Sequence, residues 1–324
     1  MPAFDPHKTP TVTVVMYHYV RDLARTRYPE IKGLDAKKFR SQLMHIRRRY
    51  EVITAADLME AFRNRNGTWP LPPNALLLTF DDGLMDHYDT VFPLLDECKL
   101  QGCFFVPLHS LWEHKVLDVH KVHFILASAG DNKSRIATAI LDGVHRYREQ
   151  WSLESDDFYL NKYAVAWRYD TAEVIFIKRM LQLGLPAPVR HQLTHELFSA
   201  MVTTDEGAFS AELYMNEDQL RCLGRNGMYV GPHGYSHSWM AELDPKQQTQ
   251  EVDQMVSFLK QIGSDAGRWM FSYPFGNSND SLRRLSRERG CAVGLTTEIN
   301  QVTPQTDPML CPRIDANELP TSGD

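Results

Sequence analysis

Ala75-Leu76-Leu77-Leu78-Thr79-Phe80-Asp81-Asp82-Gly83 is the stretch from which the fold is read. Its first six residues are almost wholly apolar and read as a strand buried on both faces, closed by an acidic pair and a glycine that mark a turn. Such a strand belongs in a parallel sheet covered by helices, because an antiparallel sheet with one wet face alternates polar and apolar residues. The flanking chain repeats the pattern. Upstream, Thr11-Val12-Thr13-Val14-Val15-Met16-Tyr17 is a β-branched strand. A helix follows, capped by Asp35, with Phe39, Leu43 and Ile46 at helical spacing. Next come a short strand at Val52-Ile53-Thr54 and a helix over 55–62. Downstream, a helical stretch leads into the strand Gly102-Cys103-Phe104-Phe105-Val106-Pro107. Strands alternating with helices predict an α/β protein with a parallel sheet.

The alternation stops over 108–212, where helical patterns follow one another at 116–127, 133–148, 165–183 and 191–201. This reads as a helical insertion, or cap, within a single domain of residues 1–324. It carries Trp112, Trp151 and Trp167, candidates for stacking on a sugar but better suited to core packing. Alternation resumes with a short helix after Asn216 and the strand Met228-Tyr229-Val230-Gly231. Asp244-Pro245 then opens a long helix with a cap followed by proline at the first helical position. Its apolar face holds Val252, Val256, Leu259 and Ile262. Closing strands are expected at 269–273, 292–297 and 309–314, with a helix over 281–289.

Composition narrows the function. At 43% hydrophobic and 23% charged the chain is a soluble globular protein, and a net charge of −6 provides no basic surplus for nucleic acid. No apolar run is long enough to cross a bilayer. Met1-Pro2-Ala3-Phe4-Asp5-Pro6 lacks the basic-then-apolar order of a signal peptide. Cys98, Cys103, Cys222, Cys291 and Cys311 are odd in number and scattered, as reduced thiols in a cytoplasmic protein would be. Cytoplasmic localisation is the resulting expectation; a homo-oligomer is left open.

The chemistry concentrates in three segments, each at the end of a predicted strand: Thr79-Phe80-Asp81-Asp82-Gly83, Pro232-His233-Gly234-Tyr235-Ser236-His237 and Ser272-Tyr273-Pro274-Phe275-Gly276. Catalytic groups in parallel α/β folds gather where strands end. One carboxylate and two imidazoles suffice to hold Zn²⁺ with positions left for water and substrate. Two adjacent carboxylates at a turn can point apart, one toward a metal and the other free as a base. His191 and His195, four apart on a helix with no acidic motif nearby, read as a surface pair. His120 and His123, beside Asp118, are a weaker candidate for contact with substrate.

The order Thr-Phe-Asp-Asp-Gly, His-x-x-x-His, Tyr-Pro-Phe-Gly resembles the polysaccharide deacetylases (carbohydrate esterase family 4, the NodB homology domain). Met16-Tyr17-His18-Tyr19, Phe104-Phe105-Val106 and Pro312-Arg313-Ile314-Asp315 reinforce it. The resemblance spans 11–107 and 213–320. It implies a distorted (β/α)7 barrel of the NodB homology type with a large helical insertion. It also implies one divalent metal, usually Zn²⁺ and sometimes Co²⁺ or Ni²⁺, and an N-acetylated sugar or saccharide as substrate. By motif, Asp82, His233 and His237 are the implied metal ligands and Asp81 the base. The amide of Phe275 is the implied oxyanion donor.

The chain departs from the family pattern at two points. Many members carry an arginine where Ser272 stands, and that arginine steadies the base; Arg313 is the preferred substitute here, ahead of Arg268. The usual late histidine acid is missing, since no histidine follows His237. The chain resembles the branch with Tyr-His on its first strand, which makes His18 the candidate acid. Two rival readings keep the barrel: hydrolysis of a cyclic amide or other non-peptide C–N bond, and a catalytically silent saccharide-binding barrel. The intact Asp81, Asp82, His233 and His237 argue against the silent barrel.

Overall fold

The computed structural model describes residues 10–64, 69–166 and 170–321; Met1–Pro6 and Trp167 lie outside them. The described residues form ten strands: β1 (Thr11–Tyr17), β2 (Val20–Arg21), β3 (Leu34–Asp35), β4 (Glu51–Val52), β5 (Asn74–Phe80), β6 (Gly102–Val106), β7 (Tyr229–Pro232), β8 (Trp269–Ser272), β9 (Cys291–Leu295) and β10 (Ile314–Asp315). The main sheet runs β10-β1-β5-β6-β7, all parallel, with β4 also on β5. β8 and β9 form a second parallel pair.

Two seams turn these sheets into a ring of seven strands. At the first, Cys311 bridges in parallel to Leu295 at the end of β9, accepting from Thr296 N at 2.9 Å and donating from its own N to Gly294 O at 2.9 Å, just ahead of β10. At the second, between β7 and β8, the Tyr229 hydroxyl replaces a ladder. It donates to Met270 O at 2.9 Å and accepts from Met270 N at 2.6 Å. Gly231 permits this approach, since a Cβ there would lie 2.6 Å from Met270 O. The distortion of the barrel is therefore local, and side chains bridge it.

Nearly continuous apolar strands hide a strict alternation. Val12, Val14, Ala75, Leu77, Cys103, Phe105, Met270, Val293 and Leu295 pack in one core; Val15, Tyr17, Leu76, Leu78, Phe80, Phe104 and Val106 pack in the other. The first set fills the barrel, and the second lies beneath helices such as Ala36–Arg49 and Pro245–Ile262. Continuing the inward parity of Ala75 and Leu77 brings Thr79 and Asp81 to the top of the barrel interior.

The run expected as a strand at 309–314 is corrected. Pro308–Leu310 is a short 3₁₀ turn, Cys311 makes a single bridge to Leu295, and only Ile314–Asp315 forms a strand, paired with Val15 and Met16 near the end of β1. The Asp307-Pro308 start, with the Asp307 side chain accepting from Met309 N, favours the turn over extension. Arg313 therefore precedes its strand and does not end it.

The described residues group into two compact units: those of Met1–Asp22, Gly33–His114 and Ala211–Asp324, and those of Leu23–Lys32 and Lys115–Ser210. The second unit is helical. Its helices Asp118–Ser128, Ser134–Trp151 and Ala187–Met201 match the sequence pattern. Within 165–183 the described helix is Ala172–Arg179, continued by the π-helical turn Met180–Gly184, and Asp156–Tyr163 adds a helix the pattern did not reveal. Tyr28 joins this core through edge contacts with Phe124 and Phe209. His120 is buried within it, while His191 pairs with Asp118 on its surface. Among the described residues, no helix is long and apolar enough to cross a membrane.

Candidate active site

β1 and β5 run in register from Thr11–Asn74 to Tyr17–Phe80, and Asp81 N continues the ladder to Tyr17 O at 2.9 Å. His18 and Asp81 therefore leave adjacent strands at the same level. Asp81 points into the barrel, where the buried Arg313 grips both its oxygens, Nη1 to Oδ1 at 3.0 Å and Nη2 to Oδ2 at 2.8 Å. The same guanidinium bonds Ser272 Oγ (2.8 Å), Thr79 Oγ1 (3.2 Å) and Thr296 O (2.8 Å), so with Asp81 four residues fix it. Ser272 Oγ also donates to Asp81 Oδ2 at 3.0 Å. Arg313 thus reaches the carboxylate from the segment just ahead of β10, with Ser272 completing the contact. Arg268 pairs instead with Glu60 at 2.9 Å.

Electrostatics follow from this packing. Burial opposes the charge of Asp81, but Arg313 foremost, then His233 and His18, outweigh it and hold the carboxyl at about 2. For His233, burial dominates and brings the imidazole down to about 4, so the ring is neutral near pH 7. Its Nδ1 lies 2.7 Å from Ser272 O. A carbonyl only accepts, so Nδ1 carries the proton and Nε2 presents a lone pair. That bond also spans the β7–β8 seam above Tyr229.

Asp82 turns away from Asp81 because its backbone is left-handed, with φ 78°. Its Oδ1 lies 3.5 Å from His233 Nε2 and 3.4 Å from His237 Nε2. The three residues offer ligand atoms within 4.8 Å of one another, and they are the residues implied by motif. A carboxylate oxygen with two imidazole nitrogens, one held by an outer hydrogen bond, is a donor set suited to Zn²⁺ or a similar ion. Of the six described non-glycine residues with positive φ, three are here: Asp82, His237 (53°) and Phe275 (57°). Backbone strain of this kind gathers at functional sites. Phe275 sits in the turn Pro274–Gly276, and Gly276 is needed there because a Cβ would fall 2.3 Å from Thr297 Oγ1. Its ring meets His237 edge-on at 4.8 Å and stacks on Trp239 at 4.6 Å.

Sequence reasoning missed Trp239 and Glu251. Trp239 forms the aromatic wall beside His237, whereas Trp112 packs against Tyr235 and Trp151 ends a helix of the second unit. Glu251, buried on the helix Pro245–Ile262, accepts from Tyr235 N at 2.6 Å, Ser236 N at 3.2 Å and the Ser236 hydroxyl. It thereby braces the loop between the two histidines. An acidic residue on the apolar side of that helix, one position before Val252, was the available signal. Glu251→Gln presents an amide N–H₂ to these donors. It should weaken Zn²⁺ binding by roughly 10–100-fold, read by chelator competition; unchanged affinity would remove Glu251 from the site.

Residues 198–294, which hold His233, His237 and Phe275, match the polysaccharide deacetylase family model. The Streptococcus pyogenes deacetylase PplD, in complex with acetate, superposes with a TM-score of 0.55 at 15% identity, over 95% of this chain and 93% of that one. IcaB from Ammonifex degensii gives 0.54 at 16% identity, over 95% and 92%. The BpsB deacetylase domain from Bordetella bronchiseptica gives 0.54 at 16%, over 96% and 97%. At such identities the likeness is one of fold. A search of curated proteins finds no match. The carboxy-terminal motifs thus match the polysaccharide deacetylase family model, and over nearly its whole length the chain has the NodB-type α/β fold of these deacetylase structures.

Proposed function

We propose that the protein hydrolyses the N-acetyl group of an amino sugar or saccharide, with Zn²⁺ as the expected ion and Co²⁺ or Ni²⁺ as alternatives. The observation that carries this reading is the contrast between adjacent carboxylates. Asp81 is held ionised by Arg313, while Asp82 joins the two histidines. A divalent ion on Asp82, His233 and His237 supplies Lewis acidity for the acetamide carbonyl and for the attacking water. Asp81 takes the proton of that water. The Phe275 amide donates to the oxyanion as the carbonyl becomes tetrahedral. His18 protonates the nitrogen as the C–N bond breaks, releasing acetate and a free amine. The stacked Trp239 and Phe275 rings supply an apolar wall for the sugar. PplD, a deacetylase seen with acetate, supports the choice of acyl group. The test is mass spectrometry for acetyl loss across N-acetyl saccharides and sugar nucleotides with Zn²⁺-, Co²⁺- or Ni²⁺-loaded protein. No acetyl loss from any of them sinks the reading.

The acid has its own test. An amine is a poor leaving group unless protonated, so His18→Ala should lower kcat on an acetamide by roughly 10²–10⁴-fold with metal content unchanged. An activated ester, whose leaving group needs no proton, should lose far less. Equal losses on both substrates would place the proton elsewhere.

A further inference from the structure

We propose that His87, seconded by Asp86, is a positioning residue for His18; the proposal rests on the reading of His18 as the acid. His87 opens the π-helical turn His87–Val91, five residues beyond Asp82. Its ring is fully buried, 5.6 Å from the Phe80 ring and 5.8 Å from that of Phe104. Its Nε2 lies 2.9 Å from the His18 carbonyl oxygen, and since a carbonyl only accepts, Nε2 carries a proton. Burial brings this imidazole down to about 4, leaving it neutral with a single N–H. Nδ1, also buried, has no partner among the described residues. The whole donor capacity of the ring therefore goes to His18.

A buried nitrogen left without a partner is destabilising. Phenylalanine would suit the same aromatic surroundings without that cost, so packing alone does not account for a histidine here. The placement of its bond does. Asp81 N to Tyr17 O is where the β1–β5 ladder stops, and the His18 peptide is the first beyond it. The neighbouring Asp86 grips the chain just past Tyr19, accepting from Val20 N at 3.2 Å and from Arg21 Nε at 2.8 Å. Consecutive residues of the turn that follows the acidic pair thus hold both sides of the segment carrying His18. Asp81 and His18 are fixed relative to each other by one element, as proton transfer from opposite sides of a substrate requires.

The experiment measures kcat and KM on an N-acetyl saccharide and on p-nitrophenyl acetate for Zn²⁺-loaded wild type, His18→Ala, His87→Phe and His87→Gln. His87→Phe should lower kcat on the acetamide by roughly 10–100-fold, with the ester changed less than about twofold, KM little moved and one zinc retained. His87→Gln, whose amide N–H can reach the same carbonyl, should recover most of the loss. An unchanged acetamide-to-ester ratio in His87→Phe, beside a shifted ratio in His18→Ala, overturns the proposal and leaves His18 as the acid. Equal losses on both substrates in His18→Ala overturn the acid reading and this proposal with it. Should His87→Phe give no soluble protein, His87→Leu against His87→Gln makes the same comparison, and equal ratios in that pair overturn it.

Discussion

Asp81→Asn should lower turnover on an N-acetyl sugar by up to about 10⁴-fold while the protein still binds one zinc. The substitution keeps size and removes only the charge that accepts the proton. Its second consequence comes from Arg313, which is 1% exposed and has Asp81 as its salt-bridge partner. Breaking a buried pair by removing one partner costs roughly 3–5 kcal/mol, because the other charge is left without compensation. Asp81→Asn should therefore also melt at a lower temperature. The two effects separate in a double variant: Asp81→Asn with Arg313→Met removes both charges and should regain stability without regaining turnover. Near-normal turnover in Asp81→Asn would remove Asp81 as the base. Loss of zinc in step with activity would mean that Asp81 and Asp82 have exchanged roles.

How far this site could be read from the sequence varies with the range of the interaction. β1 and β5 were legible almost to the residue, because β-branched and apolar runs bounded by polar turns report burial locally. Asp81, Asp82, His233 and His237 were legible because strand-end motifs place them, and the structure brings them together. Arg313 was legible only as a preference over Arg268: a bond spanning 232 positions leaves no local trace. β10 was misread because two paired residues sustain no periodicity, and the preceding run was apolar enough to imitate a strand. Glu251 and His87 were missed for a common reason. Each looks locally like an ordinary helical residue, and each acquires its role from a backbone brought to it by tertiary folding. Leu23–Lys32 grouped with the later helices for the same cause, since Tyr28 finds its aromatic neighbours about a hundred positions or more downstream.

His237→Ala should abolish tight zinc binding, with affinity falling well beyond the roughly 100-fold expected for an outer-shell partner. Two remaining ligands, Asp82 and His233, cannot complete the three-residue set that such ions require. His237 is a cleaner choice than His233. His233 is buried and donates to Ser272 O across the β7–β8 seam, so His233→Ala would also leave a buried carbonyl without its donor, at roughly 1–3 kcal/mol. His237 sits on a bracing loop held separately by Glu251, and its removal takes away a ligand with little of the scaffold. Thermal melting with and without added zinc gives the measurement. A ligand at 100 times its dissociation constant stabilises the folded state by about 2.7 kcal/mol. Wild type should show a zinc-dependent rise in Tm, and His237→Ala should show none while its metal-free Tm stays near that of metal-free wild type. A full rise in His237→Ala would place the ion on other residues, and with it the acetamide carbonyl that Asp81 and His18 are proposed to serve.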